Sequence, residues 1–307
     1  MSPFHTLTWK DFPKGFTPFF LDPTGVDLEI KEISKGVYAL LSSIPNVDNT
    51  GFVVGENGVL VIDSHINIAM AKLIQKRIRE VTDKPLLYLV NSNYHGDHTF
   101  GNCAFGIEVQ IVQHKITAEL VEFFEEEKDF LFPCVGNNPD IYEGIQLRRP
   151  DIVFDNFMEI NLGGITVEFH YFGPANTPGD TITYVPSGKC AWTGNMTGGN
   201  LIITLESAST TYLESLRTFS ESLDVEILIP AHNPISDAKI IDNYILYLHQ
   251  LIDSVEKDKK EGKTLQEISE STPLDLNQPY SPPIDHPRLK FFKELHSFNI
   301  TRAFDTM

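Results

Sequence analysis

The sequence predicts a mixed α/β (α+β) fold in which two β-sheets pack face to face with helices outside. Three observations carry this. Short β-rich runs separated by turn residues precede a helical stretch in the first half. The same order, strands and then a helix, returns in the second half. The tail from about residue 236 is helical. Sheets and helices each have an apolar side to bury, and stacking the two strand blocks between helical layers buries all of them.

Residues 1–30 are rich in Pro, Phe and Asp, show no period, and read as an irregular N-terminal arm wrapping the domain surface. The runs 37–41, 52–54 and 59–63 read as strands, with Asn57-Gly58 as a hairpin signal. Ile66, Met70, Leu73, Ile74, Ile78 and Val81 then follow helical spacing. A buried strand at 86–90 runs into an irregular polar loop at 91–102. A strand at 107–113 and a helix over about 115–130 complete this half. Residues 130–150 are poorly periodic and read as an inserted loop over the site.

Strands follow at 157–162, 165–172, 181–185 and 190–193. Thr211 and Glu214 have capping-box spacing and open a helix to about 222. A short strand at 226–229 ends at Pro230. Ile241, Tyr244, Ile245, Leu248, Leu251, Ile252 and Val255 form one apolar stripe, Gly262 stops that helix, and Thr264 with Glu267 opens another. A last helix is expected near 288–298, after the Pro-rich residues 279–287. The expected organisation is the arm at 1–30, one site-bearing domain at 31–235, and a helical extension at 236–307 packed on that domain.

Composition narrows the function. The formal net charge is −18 across 307 residues, with Lys+Arg 24 against Asp+Glu 42. Nucleic-acid binders take most of their affinity from cations on phosphates. Short basic runs such as Lys257, Lys259 and Lys260 sit at helix ends and form no basic stripe, so a small-molecule partner is expected and nucleic acid is not. Cys103, Cys134 and Cys190 have no CxxC spacing and read as free thiols in a reducing compartment. The N-terminus lacks a signal-peptide pattern and no apolar stretch approaches a membrane span. The expected setting is therefore cytoplasmic, with no membrane partner; a homodimer is compatible with the sequence.

The chemistry concentrates in Asn93-Tyr94-His95-Gly96-Asp97-His98, directly after the 86–90 strand. Two imidazoles and a carboxylate on a rigidly held strand-end loop are the ligand types of catalytic zinc or iron. The bland alternative is a solvated polar loop that happens to hold two histidines.

This hexapeptide resembles the HxHxDH signature of the metallo-β-lactamase superfamily. The resemblance continues in order along the chain. Val61-Ile62-Asp63-Ser64 is similar to the strand-ending aspartate motif, and Gly101-Asn102 follows the signature. Gly173-Pro174-Ala175-Asn176-Thr177-Pro178-Gly179-Asp180 resembles GxxHTxGD, Trp192-Thr193-Gly194-Asn195 resembles xTGD, and Pro230-Ala231-His232-Asn233 resembles PGH. The implied fold is an αββα sandwich with a helical C-terminal extension.

The resemblance implies ligand positions at Asn93, His95, Asp97, His98, Asn176, Asn195 and His232. Asn93 and Asn176 stand where the first metal would take histidine, leaving that site only His95, and Asn195 stands where a bridging aspartate or a cysteine would sit. A neutral amide oxygen is a poor replacement for imidazole, and losing a bridging anion leaves two close cations repelling each other. Asp97, His98 and His232 remain as a complete two-His-one-carboxylate set.

One divalent ion is therefore expected, zinc first, with Fe(II) or Mn(II) as alternatives, on metal residues Asp97, His98, His232 and His95. Asp97 and His95 are the candidate catalytic residues, His95 as an additional ligand or as a proton carrier. Asn93, Asn176 and Asn195 are expected to hold substrate oxygens, His65 to line the site, and Asp63 to orient the metal loop. His114 is expected to cap the helix after it; His249, His286 and His296 have no expected role. The favoured function is hydrolysis of a small ester, lactone, amide or thioester by one metal-activated water. A mononuclear iron lyase, cyclase or redox enzyme and a catalytically silent binding protein are the alternatives.

Overall fold

The computed structural model describes residues 6–197 and 204–307. Seven strands form the first sheet in chain order: β1 (Leu28–Ser34), β2 (Val37–Ser42), β3 (Thr50–Val54), β4 (Val59–Ile62), β5 (Leu86–Val90), β6 (Gln110–His114) and β7 (Ile152–Phe154). β1 to β4 pair antiparallel, whereas β4 to β7 pair parallel. Six strands form the second sheet: β8 (Phe157–Asn161), β9 (Thr166–His170), β10 (Ile182–Val185), β11 (Cys190–Gly194), β12 (Ile227–Pro230) and β13 (Ser236–Asp237), with β11 and β12 parallel. The helices are α1 (Ile68–Val81), α2 (Gly96–Thr99), α3 (Lys115–Leu120), α4 (Phe124–Leu131), α5 (Ser209–Ser222), α6 (Ile240–Lys260), α7 (Leu265–Ser271) and α8 (Leu289–Thr306).

Period-two alternation sorts the strand residues into layers. Leu60 and Ile62 of β4 face the second sheet and meet Val167, Phe169, Val185, Trp192 and Ile229. Val59 and Val61 face the other way, onto Met70, Ala71, Ile74 and Ile78 of α1. The far side of the second sheet is covered by Tyr212, Leu216 and Phe219 of α5, Tyr244 and Leu248 of α6, and Phe298 of α8. The layers run helix, sheet, sheet, helix, as expected. Each fully buried large apolar side chain contributes about 1.5–3 kcal/mol, so three clusters of this kind hold the strand ends rigidly beneath the site.

Four expectations need correction. The arm does not lie on the surface: Leu7, Phe12, Phe16 and Leu21 are buried in the same cluster as α6 and α8, and Phe12 stacks on Phe298 at 4.3 Å. Aromatic burial of this size outweighs the absence of local periodicity. The residues expected as arm also lead into β1, whose Ile30 and Leu28 alternate with charges and pair with β2. The helix expected over 115–130 is broken by a 3-10 turn at Val121–Phe123, where Phe123 leaves helical geometry (φ −81°, ψ 37°). Finally, α5 begins at Ser209 with Ala208 as its N-cap, so Thr211 and Glu214 form no capping box; Thr211 Oγ1 instead donates to the Ala208 carbonyl. The Thr264/Glu267 capping box is present as expected.

Candidate functional site

The parallel strands β4 and β5 of one sheet, and β11 and β12 of the other, end on the same side of the molecule. The loop after β4 turns sharply, with Asp63 at φ 59° and His65 at φ 66°, left-handed values uncommon for such residues and typical of functional strand ends. Asp63 Oδ1 accepts the Ser92 N–H at 2.8 Å and its Oδ2 accepts Ser92 Oγ at 2.7 Å, tying the β4 end to the β5 end. Chain tightness then demands glycine at 101, since a Cβ there would lie 2.0 Å from the Ser64 carbonyl oxygen. Gly96–Thr99 closes into the single helical turn α2, which presents Asp97 and His98.

Asp48, Asp97, His98 and His232 come together there, with one ligand atom from each lying within 4.8 Å of all the others. His98 Nδ1 is 3.0 Å from Asp63 Oδ2, leaving Nε2 to face Asp97 at 3.8 Å. His232 Nδ1 meets the Asn46 carbonyl at 3.1 Å, leaving Nε2 3.4 Å from Asp97 Oδ2. Each imidazole thus has one nitrogen fixed by an oxygen acceptor and the other aimed inward, the arrangement that sets ligand tautomers. Both Asp48 oxygens and Asp97 Oδ1 are buried without a hydrogen-bond partner. Uncompensated buried carboxylate oxygens are costly, and a cation between them would satisfy them. On that ground the residues fit a divalent ion.

The electrostatics agree. Burial, then Asp97, pushes Asp48 well above the usual carboxylate range. Burial also pushes Asp97 upward, but His98, His232 and His95 outweigh it and leave it lowered. Burial opposes the charge on His98, yet Asp63 and Asp97 raise its pKa to about 10. Burial lowers His232 to about 4. Asp48 and His98 thus favour a proton in the folded chain, whereas His232 and Asp97 do not.

Asp48 carried no signal in the sequence, where a lone Asp in a short loop reads as a turn residue. Its position comes from a distant clasp. Asn49 Nδ2 donates to the carbonyls of Pro230 at 3.0 Å and Asn233 at 2.8 Å, and Asn49 N–H donates to the Ala231 carbonyl, so the β2–β3 loop is fastened to the segment that carries His232.

His95 stands outside this quartet. Its Nδ1 is 2.9 Å from Glu127 Oε1 and its Nε2 is 3.4 Å from Glu206 Oε2, so two carboxylates bracket the ring. Burial works against its charge, but Glu127 and Glu206 outweigh it and raise the His95 pKa well above the ordinary value. Glu206 is held in turn by Tyr94 Oη and by Arg302, whose guanidinium grips the carbonyls of Leu205 and Glu206.

The other expected residues divide. Asn176 and Asn195 line a pocket of about 150 Å³ together with His95, Asp97 and His232. Asn176 Nδ2 donates to the Thr204 carbonyl while its buried Oδ1 has no partner, and Asn195 Oδ1 lies 3.3 Å from His98 Nε2. Asn93 does not line the pocket: it is fully buried, its Oδ1 accepts the His95 N–H at 2.9 Å, and its Nδ2 is unpartnered. His65 is fully buried and held neutral, with burial lowering its pKa to about 3. Of residues 130–150, Phe130 and Leu131 reach the pocket.

Comparison with known proteins places this geometry. Residues 44–232, more than half of the chain, match the family model of the metallo-beta-lactamase superfamily. The chain belongs to that superfamily. Among solved structures, a metallo-beta-lactamase from Pontibacter korlensis superposes with a TM-score of 0.59 and 17% identity, covering 73% of this chain and 99% of that one. The stereoselective inverting sec-alkylsulfatase Pisa1 from Pseudomonas sp. gives a TM-score of 0.67 at 14% identity, covering 91% of this chain and 50% of that one. At these identities the likeness is one of fold. A linear primary-alkylsulfatase from a Pseudomonas species is 19% identical over 261 residues, 71% of this chain and 48% of its own length. The chain thus spans about half the length of that curated relative.

The comparisons give the chain its superfamily and leave its reaction open. Asp97, His98 and His232, which the motif resemblance implies for a second metal, all meet in the quartet. For a first metal the resemblance implies Asn93, His95 and Asn176. Of the three residues the resemblance implies there, His95 has its imidazole between Glu127 and Glu206. Glu127 had a readable signal: Phe123, Phe124, Phe130 and Leu131 stand three or four residues either side of it, so an acid occupies the middle of an apolar stripe. Glu206, in a loop, had none. Among the described residues no helix is long and apolar enough to cross a membrane, and Cys103, Cys134 and Cys190 are free.

Proposed function

We propose that the chain hydrolyses an ester-type bond in a small molecule, whether carboxylic ester, lactone, amide, thioester or sulfate ester, with one divalent metal ion held by Asp48, Asp97, His98 and His232. The observation that carries this reading is the convergence of two inward-facing imidazole nitrogens on two buried carboxylates, three of whose four oxygens lack a hydrogen-bond partner. Such a donor set suits zinc, and equally Fe(II) or Mn(II). When bound, the ion supplies Lewis acidity, polarising a substrate oxygen and acidifying water.

The chain's own residues supply the rest. Asp63 and Ser92 hold His98, and the Asn46 carbonyl holds His232, so neither ring needs to reorganise. Asn176 and Asn195 face the pocket with amide groups able to hold substrate oxygens. His95 lines the same pocket, and a proton on its Nε2, which faces Glu206 Oε2 at 3.4 Å, can pass to a departing oxygen or nitrogen. Phe19, Phe130, Phe291 and Phe292 line the same pocket, and apolar surroundings strengthen each of these interactions. The bracketing of His95 by two glutamates supports one metal per chain: the one histidine that the resemblance implies for a first metal is already engaged.

Elemental analysis after exhaustive dialysis tests the reading. Close to one metal per chain is expected, falling well below that in Asp48→Asn and His232→Ala. Two metals per chain, or unchanged content in both variants, would overturn it. A panel of p-nitrophenyl esters, a lactone, a thioester and an alkyl sulfate, with and without chelator, then assigns the bond class.

A further inference from the structure

The pocket that opens onto the metal quartet is built from two kinds of surface. At its floor are Asp97, His95, His232, Asn176 and Asn195; its wall is apolar, formed by Phe19, Leu21, Phe130, Phe291, Phe292 and Leu295. The wall comes from the N-terminal arm, α4 and α8, none of which belongs to the residues matched by the superfamily model except α4. Among the described residues lining this pocket there is a single permanent cation, Arg288.

Arg288 is unusual in this chain. Its guanidinium carbon lies over the Phe291 ring, 4.3 Å from the centroid. Its backbone N–H donates to His286 Nδ1 at 3.1 Å at the head of α8. No carboxylate among the described residues lies within ion-pair distance of it, although the sequence carries 42 acids against 24 basic residues. The other arginines of the fold are engaged: Arg77 with Asp27 and Glu80, Arg149 with Glu122, Arg148 and Arg302 with backbone carbonyls. Arg217 meets His249. A half-buried guanidinium that lies over a ring, has no ion-pair partner among the described residues and lines a cavity offers its donors to whatever enters. Guanidinium donors match planar or tetrahedral oxyanions in a two-pronged geometry. Asp97 is the one carboxylate among the described residues that line the pocket, and the Arg288 charge offsets it for an entering anion.

We infer that Arg288 is a specificity-determining residue and that the substrate is an amphiphilic anion, its carboxylate or sulfo group held by the Arg288 guanidinium and its apolar part lying on the Phe19, Phe291, Phe292 and Leu295 wall. This deepens the hydrolase reading and rests on it for the word substrate, but the recognition itself needs no turnover.

Binding of non-hydrolysable probes therefore separates the two. Calorimetric titration of the full-length, metal-loaded chain with octanoate, octane-1-sulfonate and octan-1-ol compares one apolar tail with three head groups. Both anions, or the one whose geometry the fork prefers, are expected to bind at least about tenfold more tightly than the alcohol. Arg288→Met, which keeps length and apolar contact, should weaken the preferred anion by roughly ten- to a hundredfold, the range expected for losing a charge-assisted pair, while the alcohol is unchanged. Arg288→Lys, a point charge without the fork, should fall between. Thermal melting of each variant checks that it is folded. Equal affinity for alcohol and anions in the wild type, or an equal loss for alcohol and anion in Arg288→Met, would show that Arg288 serves packing and sink the proposal. An anion preference that survives Arg288→Met would place the anion on another group and sink it too. Selective anion binding in a chain that hydrolyses none of the panel would sustain this inference and remove the hydrolase reading instead.

Discussion

Nδ1 of His114 accepts the Ile116 N–H at 3.4 Å at the head of α3, and its ring lies on Tyr171 with centroids 4.0 Å apart. Burial, helped by the neighbouring Lys115, lowers its pKa to about 4, below the ordinary 6.5. The folded chain therefore resists taking up a proton that the unfolded chain accepts, so stability falls as pH drops from about 6.5 towards 4 and is unaffected above that window. His114→Asn keeps a capping oxygen and removes the titration. Urea unfolding at pH 5 and pH 7.5 should show a smaller pH-dependent loss in the variant; equal losses would clear His114 of the effect. The capping role of His114 was legible because it sits at a strand-to-helix boundary. Asp97, His98 and His232 were legible for a different reason: metal chemistry fixes residue type and spacing together. Asp48 was not, because what places it is Asn49 bonding to residues more than 180 positions away, and a contact at that range leaves no local pattern.

Helices and strands were readable where burial is one-sided. β2 to β5 and α6 follow their apolar periods closely, and the Thr264/Glu267 box starts α7 after the break at Gly262. Thr211/Glu214 misled because a cap contributes only about 1 kcal/mol, less than the packing of Tyr212, Leu213, Leu216 and Phe219 that draws α5 in from Ser209. The break between α3 and α4 matters most, since α4 then presents Glu127 to His95 Nδ1 and to the Gly96 N–H at 3.1 Å. Removing one member of a buried charged pair leaves the other uncompensated and costs about 3–5 kcal/mol. Glu127→Ala should therefore lower unfolding free energy by roughly 3 kcal/mol, and Glu127→Gln, which keeps an acceptor, by clearly less. Denaturant titration reads both. A Glu127→Ala variant as stable as wild type would mean that His95 is held by Glu206 alone.

Across the whole molecule, the quartet gathers its members from the β2–β3 loop, the turn after β5 and the loop after β12, so both sheets contribute to one point. A cation bound there stabilises the folded state alone, by about 2.7 kcal/mol when its free concentration is a hundred times Kd. Chelation should accordingly lower Tm. Asp48→Asn sharpens the test because it acts in opposite directions in the two states. Without metal, Asp48 is a buried carboxylate facing Asp97, with both oxygens unpartnered; an uncharged amide of the same shape relieves that repulsion, so the chelated variant should melt at or above the chelated wild type. With metal present, the variant has lost an anionic ligand, binds the ion more weakly, and gains less from it, so it should melt below the metal-loaded wild type. The two melting curves should cross between conditions. If Asp48 is only a structural residue, the variant shifts Tm by the same amount with and without metal, and the absence of a crossing would remove Asp48 from the metal site while leaving Asp97, His98 and His232 in it.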